Sequence, residues 1–204
     1  MTAKWTEHLL PLGSSGDGEA DSPNATVGEI DTIRHTKEPR VIVKPQEAFL
    51  SAFALHTAGV AVITANSPDG SPVGFTATSL TSFSAFPPRA SFNMSQHASS
   101  YRAVAVGNKV LLHFLAEDQI SLSKQMSGPA DERFAGDHWV ADNDGLPRLH
   151  GVRALLSAHV VSVAEVGENA TVIVEIDGGE ANPERRPLIY VERGFHSIGD
   201  SLGD

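Results

Sequence analysis

Six of the eleven residues from Gly74 to Ser84 are Ser or Thr, and strongly apolar segments flank them. Uncharged hydroxyls both donate and accept hydrogen bonds, so this run could grip phosphate oxygens or the carbonyl and nitrogen edge of a heterocyclic ring. An ordinary hairpin draws on the same residue types. A second polar cluster, Asn93, Ser95, Ser99 and Ser100, falls where a strand leads into an expected helix start. Unpaired N–H groups and the positive dipole end at such a start attract phosphate; a plain N-cap by Ser95 or Ser99 is the alternative. Lys124 and Arg133 could balance phosphate charge, with His97 and His150 as further candidates. Hydrolytic chemistry has little support, because there is no Gly-x-Ser-x-Gly elbow and no His pair spaced i, i+4. The chain has no cysteine, hence no thiolate nucleophile and no Cys-based zinc site. Any redox chemistry must therefore come from a bound cofactor, and no metal is expected.

The elements that would carry these residues are mostly strands. Proline at a first turn followed by Phe49, Ala52, Phe53 and His56 on one stripe predicts a short amphipathic helix from Pro45. The β-branched run Gly59 to Ala65, the turn Ser67-Pro68-Asp69-Gly70 and the segment from Pro72 predict a hairpin. A second strand should end at Phe83 to Pro88 and a third begin at Ala90 to Met94, with Leu80 and Phe83 in the core by period-2 alternation. A capped helix is predicted around Ser95 to Val106, a strand over Lys109 to Leu115 and a short helix over Glu117 to Met126. Gly128 to Pro147 reads as a long loop. Strands follow at Leu155 to Val166, Thr171 to Ile176 and Leu188 to Val191. Many strands, few short helices and antiparallel hairpins indicate a mainly β fold closed into a barrel.

With 204 residues and 41% hydrophobic content, the chain can bury one sizeable core. A net charge of -10 and no basic stripe argue against nucleic acid, which needs clustered cations. No apolar run reaches membrane-spanning length and no charged start precedes an apolar stretch, so a soluble, cytoplasmic protein without membrane partners is expected. Residues 1–42 include GSSGDGEADSPN, too poor in apolar side chains to repay ordering. They read as a flexible tail or as an arm across a partner subunit, and 43–204 as the folded domain. Gly13, Gly16 and Gly18 lack the strand-to-helix context of a phosphate loop.

The order GVAVITA, GFTATSLTSFSAFPP, NMSQHASSY, KVLLHFLAEDQ, DERFAG, GLPRLHG and PLIYVERGFHSIG, over about residues 45–199, resembles the flavin reductase-like family. The resemblance implies an antiparallel split β-barrel, usually a homodimer with flavin near the subunit boundary. It also implies FMN or FAD held non-covalently, NADH or NADPH as donor, and reduced flavin delivered to a separate monooxygenase. Thr76, Ala77, Thr78 and Ser79 match the family's flavin-lining segment, and Ser82, with Asn93, Ser95, Ser99 and Ser100, extends the polar wall. His196, in GFHSIG, matches a position near the nicotinamide site; packing against Tyr190 is its structural alternative. The family often has Gly-Asp-His before its penultimate long strand, whereas this chain has Gly167-Glu168-Asn169. Asn169 cannot carry a positive charge, though it can hydrogen-bond a carboxamide. That departure motivates a rival expectation, a non-catalytic flavin-binding module that senses redox state or serves a partner.

Overall fold

β-Branched and aromatic residues in alternating runs favour extended chain, where each side chain leaves the sheet on the opposite face from the last. The computed structural model describes residues 44–199; the reading of 1–42 as tail or arm lies outside them. Helix α1 spans Pro45–Leu55. Strands follow in chain order: β1 Ala58–Gly59, β2 Ala61–Asn66, β3 Pro72–Ala77, β4 Thr81–Ala85, β5 Pro88–Ser95 and β6 Lys109–Phe114. After α2, Ile120–Met126, come β7 Trp139–Ala141, β8 Pro147–Leu149, β9 Ala154–Val166, β10 Asn169–Ala181, β11 Leu188–Val191 and β12 Gly194–Ser197. Seven strands form one antiparallel sheet ordered β3-β2-β6-β9-β10-β5-β4, while β1-β11-β12 and β7-β8 form smaller sheets. No described helix is long and apolar enough to cross a membrane.

The main sheet curls around one cluster of inward residues. Ile63, Ala65, Ala77, Phe92, Met94, Val110, Leu112, Val160, Val172 and Val174 are all buried there. Strand β2 is buried on both faces, because Val60 and Val62 point outward into a second cluster with Leu115, Met126, Leu149 and Leu188. Helix α2 and the β7–β8 hairpin therefore cover one outer side of the barrel. The hairpin is pinned by two buried hydrogen bonds. Thr64 Oγ1 donates to the Pro147 carbonyl at 2.6 Å, and the Leu149 N–H donates to His113 Nε2 at 3.1 Å. Because Nε2 accepts, the His113 ring proton sits on Nδ1, 3.2 Å from the Val62 carbonyl. The ring is wholly buried, and that burial, with a smaller contribution from nearby Arg148, lowers its pKa to about 3.

Several sequence expectations need correction. Strands of three residues, too short to show alternation, lie inside and at the end of the predicted Gly128–Pro147 loop. The predicted helix around Ser95 to Val106 is only a 3₁₀ turn, Tyr101–Val104. Phe83 is 57% exposed, because a bulge between Ser82 and Ser84 breaks the alternation of edge strand β4. Leu80 does pack on the barrel core. Helix α1 forms as predicted, yet none of its residues is buried, and the stripe of Phe49 and Phe53 is exposed with the two rings stacked at 4.5 Å.

Candidate functional site

The two edges of the seven-stranded sheet, β3 and β4, are consecutive in sequence and joined only by Thr78, Ser79 and Leu80. Most of the hydroxyl-rich run thus lies along the seam where the curled sheet meets itself. Strand β4 pairs with β5 at Thr81↔Ser91 and stops. Two residues further, Ser79 stands opposite Asn93 and uses its side chain where a strand would use its backbone. The Asn93 N–H donates to Ser79 Oγ at 2.9 Å, and Ser79 Oγ approaches the Asn93 carbonyl at 3.3 Å.

On β3, Val73, Phe75 and Ala77 point into the barrel core and Gly74, Thr76 and Thr78 point outward. Ala77, 5% exposed, can therefore offer a ligand only its backbone. Thr76 is half-buried under α2, its Oγ1 donating to the Ser123 carbonyl at 3.0 Å. Thr78 is exposed, with no side-chain partner among the described residues. A β-carbon at Gly74 would stand 2.8 Å from Met126 Cε and 2.9 Å from the Ile63 carbonyl, which lets α2 lie close on β3. Lys124, one residue beyond Ser123, is exposed and has no carboxylate partner among the described residues. Arg133 is tied to the same strand, its Nη1 donating to the Gly74 carbonyl at 2.7 Å and its Nε to Gly128 at 3.0 Å. Burial pulls its pKa below the ordinary guanidinium value, but a guanidinium stays charged in proteins.

Across the seam, the outer face of β5 continues onto β10. Asn93 stands opposite Thr171 and Ser95 opposite Asn169. Thr171 Oγ1 donates to Asn93 Oδ1 at 2.7 Å. The Gln96 side chain donates to the carbonyls of Gly167 at 2.8 Å and Asn169 at 3.2 Å, holding the β9–β10 turn against the end of β5. His97 is exposed, 3.7 Å from Glu168, and its N–H donates to Ser95 Oγ at 3.2 Å.

The structure thus brings Ser79, Asn93, Ser95 and Asn169 onto one wall, with Thr76, Thr78, Lys124 and Arg133 on the adjoining one. It does not bring in all the others. Ser82 lies exposed on β4 and Ser99 exposed before the 3₁₀ turn. Ser100 is only 2% exposed, its hydroxyl without a partner, so it is a buried unsatisfied donor and not a surface N-cap. His196 sits on β12 of the three-stranded sheet, opposite Ile189, and is exposed; it is Phe195 that packs edge-to-face on Tyr190, with ring centroids 5.3 Å apart. His150 is exposed and used through its backbone, which bonds Gln119 and His138. Sequence reasoning missed Thr171 and Gln96, whose relevance appears only when the register of β5 on β10 is known. Clefts of about 450 and 520 Å³ lie elsewhere, around Lys109, Asp144 and His159 and beside Arg102.

Chemically, the wall offers uncharged donors, the Thr78 hydroxyl, the Asn93 carboxamide nitrogen and the Asn169 carboxamide, with Lys124 as a cation that has no carboxylate partner among the described residues. Such a set fits the acceptor-rich edge of a flavin ring and the charge of its phosphate. Comparisons with known proteins identify the family. The flavin reductase like domain profile matches residues 53–199. An NADH:FMN oxidoreductase of Rhodococcus qingshengii is 32% identical over 186 residues, 87% of this chain and 96% of that protein. The reductase component of a Pseudomonas aeruginosa 4-hydroxyphenylacetate 3-monooxygenase is 28% identical, covering 79% and 94% respectively. Among solved structures, a flavin reductase domain protein from Arthrobacter sp. FB24 superposes with a TM-score of 0.73 at 34% identity, covering 78% of this chain and 99% of that one.

Proposed function

The chain belongs to the flavin reductase-like family, and from that premise we propose that it reduces FMN or FAD with NADH or NADPH and hands the reduced flavin to a monooxygenase. The observation that carries the reading is the convergence of Thr78, Ser79, Asn93 and Ser95 along the barrel seam, in a chain that aligns with nearly the whole length of an NADH:FMN oxidoreductase. Bound flavin supplies the hydride acceptor and reduced nicotinamide the hydride, so the protein needs no nucleophile and no acid.

What the residues contribute is positioning. Holding two reactants in register can lower a barrier by roughly 7 to 11 kcal/mol. Thr78, Asn93 and Ser95 would hydrogen-bond the flavin through backbone and side chain; Ser79 would keep the wall closed. Lys124 and Arg133 would neutralise phosphate. Asn169, opposite Ser95, would meet the nicotinamide carboxamide, a neutral contact that suits an uncharged amide. His196 enters this reading only if the β11–β12 sheet borders the donor.

Homodimerisation in the cytoplasm belongs to the same reading. It is supported by the exposed Phe49, Phe53, Phe83 and Phe86, the last 95% exposed, since apolar patches of this kind mark interaction sites. The test is stopped-flow mixing of protein and flavin with NADH or NADPH. Bleaching of the flavin band near ~450 nm, a property of the cofactor, is expected; absence of bleaching with both donors would reject the assignment.

A further inference from the structure

Antiparallel strands alternate between pairs that exchange backbone hydrogen bonds and pairs that do not, and side chains approach most closely in the second kind. The backbone N–H and carbonyl of Asn93 face Ser79, away from β10, so Asn93 and Thr171 form a pair of the second kind. The Thr171 hydroxyl uses that proximity to donate to Asn93 Oδ1 at 2.7 Å. A carboxamide has one acceptor oxygen and two N–H donors. With the oxygen engaged by Thr171, the end left free is the Nδ2 amino group, which can serve only an acceptor.

We propose that Thr171 is a positioning residue for the flavin: its hydroxyl anchors the Asn93 carboxamide on this wall, where Nδ2 is presented as a donor to an acceptor atom of the bound cofactor. This rests on the proposed flavin-reducing function. Without the hydroxyl the Asn93 side chain loses the anchor that Thr171 provides and can swing away from the ligand, which weakens binding. Both side chains are exposed, so their mutual hydrogen bond adds little to folding. At a strand position valine is well tolerated, which makes Thr171→Val a clean deletion of the hydroxyl.

The experiment titrates full-length wild-type, Thr171→Val and Thr171→Ser proteins with FMN, following the quenching of flavin fluorescence, with thermal unfolding measured alongside. Loss of one hydrogen bond corresponds to roughly 3- to 10-fold weaker FMN binding by Thr171→Val, and Thr171→Ser should restore binding to near wild type because it restores the donor. Two results would overturn the inference alone: wild-type affinity in Thr171→Val, or Thr171→Ser as weak as Thr171→Val, which would make the effect one of packing. A wild-type chain that binds no FMN would overturn the proposed function and this inference together.

Discussion

Acid should weaken this protein through His113 from about pH 6.5 downward, before its carboxylates begin to protonate. In the fold the imidazole is neutral, accepting from the Leu149 N–H and facing the Val62 carbonyl. Protonation would turn Nε2 into a donor aimed at another donor, at a ring that is wholly buried. Burial accordingly holds the pKa at about 3 against an ordinary value of 6.5. The folded value is depressed, so between those limits the unfolded chain binds a proton that the native chain refuses, and stability falls as pH falls. The slope is about 1.4 kcal/mol per pH unit below 6.5, reaching roughly 5 kcal/mol near pH 3. Against a typical domain stability of about 5 to 15 kcal/mol, that is a large share. Urea unfolding followed by circular dichroism from pH 7.5 to 4 would measure it, with His113→Gln as the non-titrating comparison. Glutamine can still accept from Leu149, so the variant should lose about 1 to 3 kcal/mol at pH 7.5. Below pH 6.5 the wild-type advantage should then shrink by about 1.4 kcal/mol per pH unit. Subtracting the two proteins cancels every other titrating group. Parallel curves across that range would refute the reasoning.

Ser79→Ala removes both hydrogen bonds to Asn93 and should cost about 1 to 3 kcal/mol of stability as well as weakening flavin binding; equal thermal midpoints for variant and wild type would show that the seam does not depend on it. Thr78→Ala, at an exposed hydroxyl, should leave the thermal midpoint unchanged and weaken only flavin affinity, so a titration showing wild-type affinity would remove Thr78 from the site. Gly74→Ala should destabilise by about 1 to 3 kcal/mol through its collision with Met126 and the Ile63 carbonyl, measured by thermal denaturation; a neutral effect would mean that α2 lifts freely from β3. Asn169→His should lower the KM for NADH, and an unchanged or higher KM would place the donor elsewhere.

Strand positions were legible where β-branched and apolar runs extend for six residues or more, as in β2, β6 and β9, and hairpins where Pro, Asp and Gly mark the turn. The signal fails below that length: β7 and β8 have three residues each and read as loop. It also fails at edges, since the bulge in β4 turns Phe83 outward. For the site, hydroxyl density identified the wall but not what each hydroxyl does. Ser79 and Thr76 are engaged by backbone carbonyls or amides of residues far along the chain, and Ala77 faces the core. Thr171 was invisible for a plainer reason. A threonine in a β-branched run looks like any other strand residue until the register sets it beside Asn93.

Closing the barrel with a side chain instead of a strand pair has a kinetic consequence. Where β4 ends, one amide, that of Asn93, depends on the Ser79 hydroxyl for its protection, whereas neighbouring amides in β5 are shielded by whole ladders. Hydrogen exchange at that amide reports how often the wall parts. Flavin bound on this wall, as proposed above, should therefore register as slowed exchange at this position.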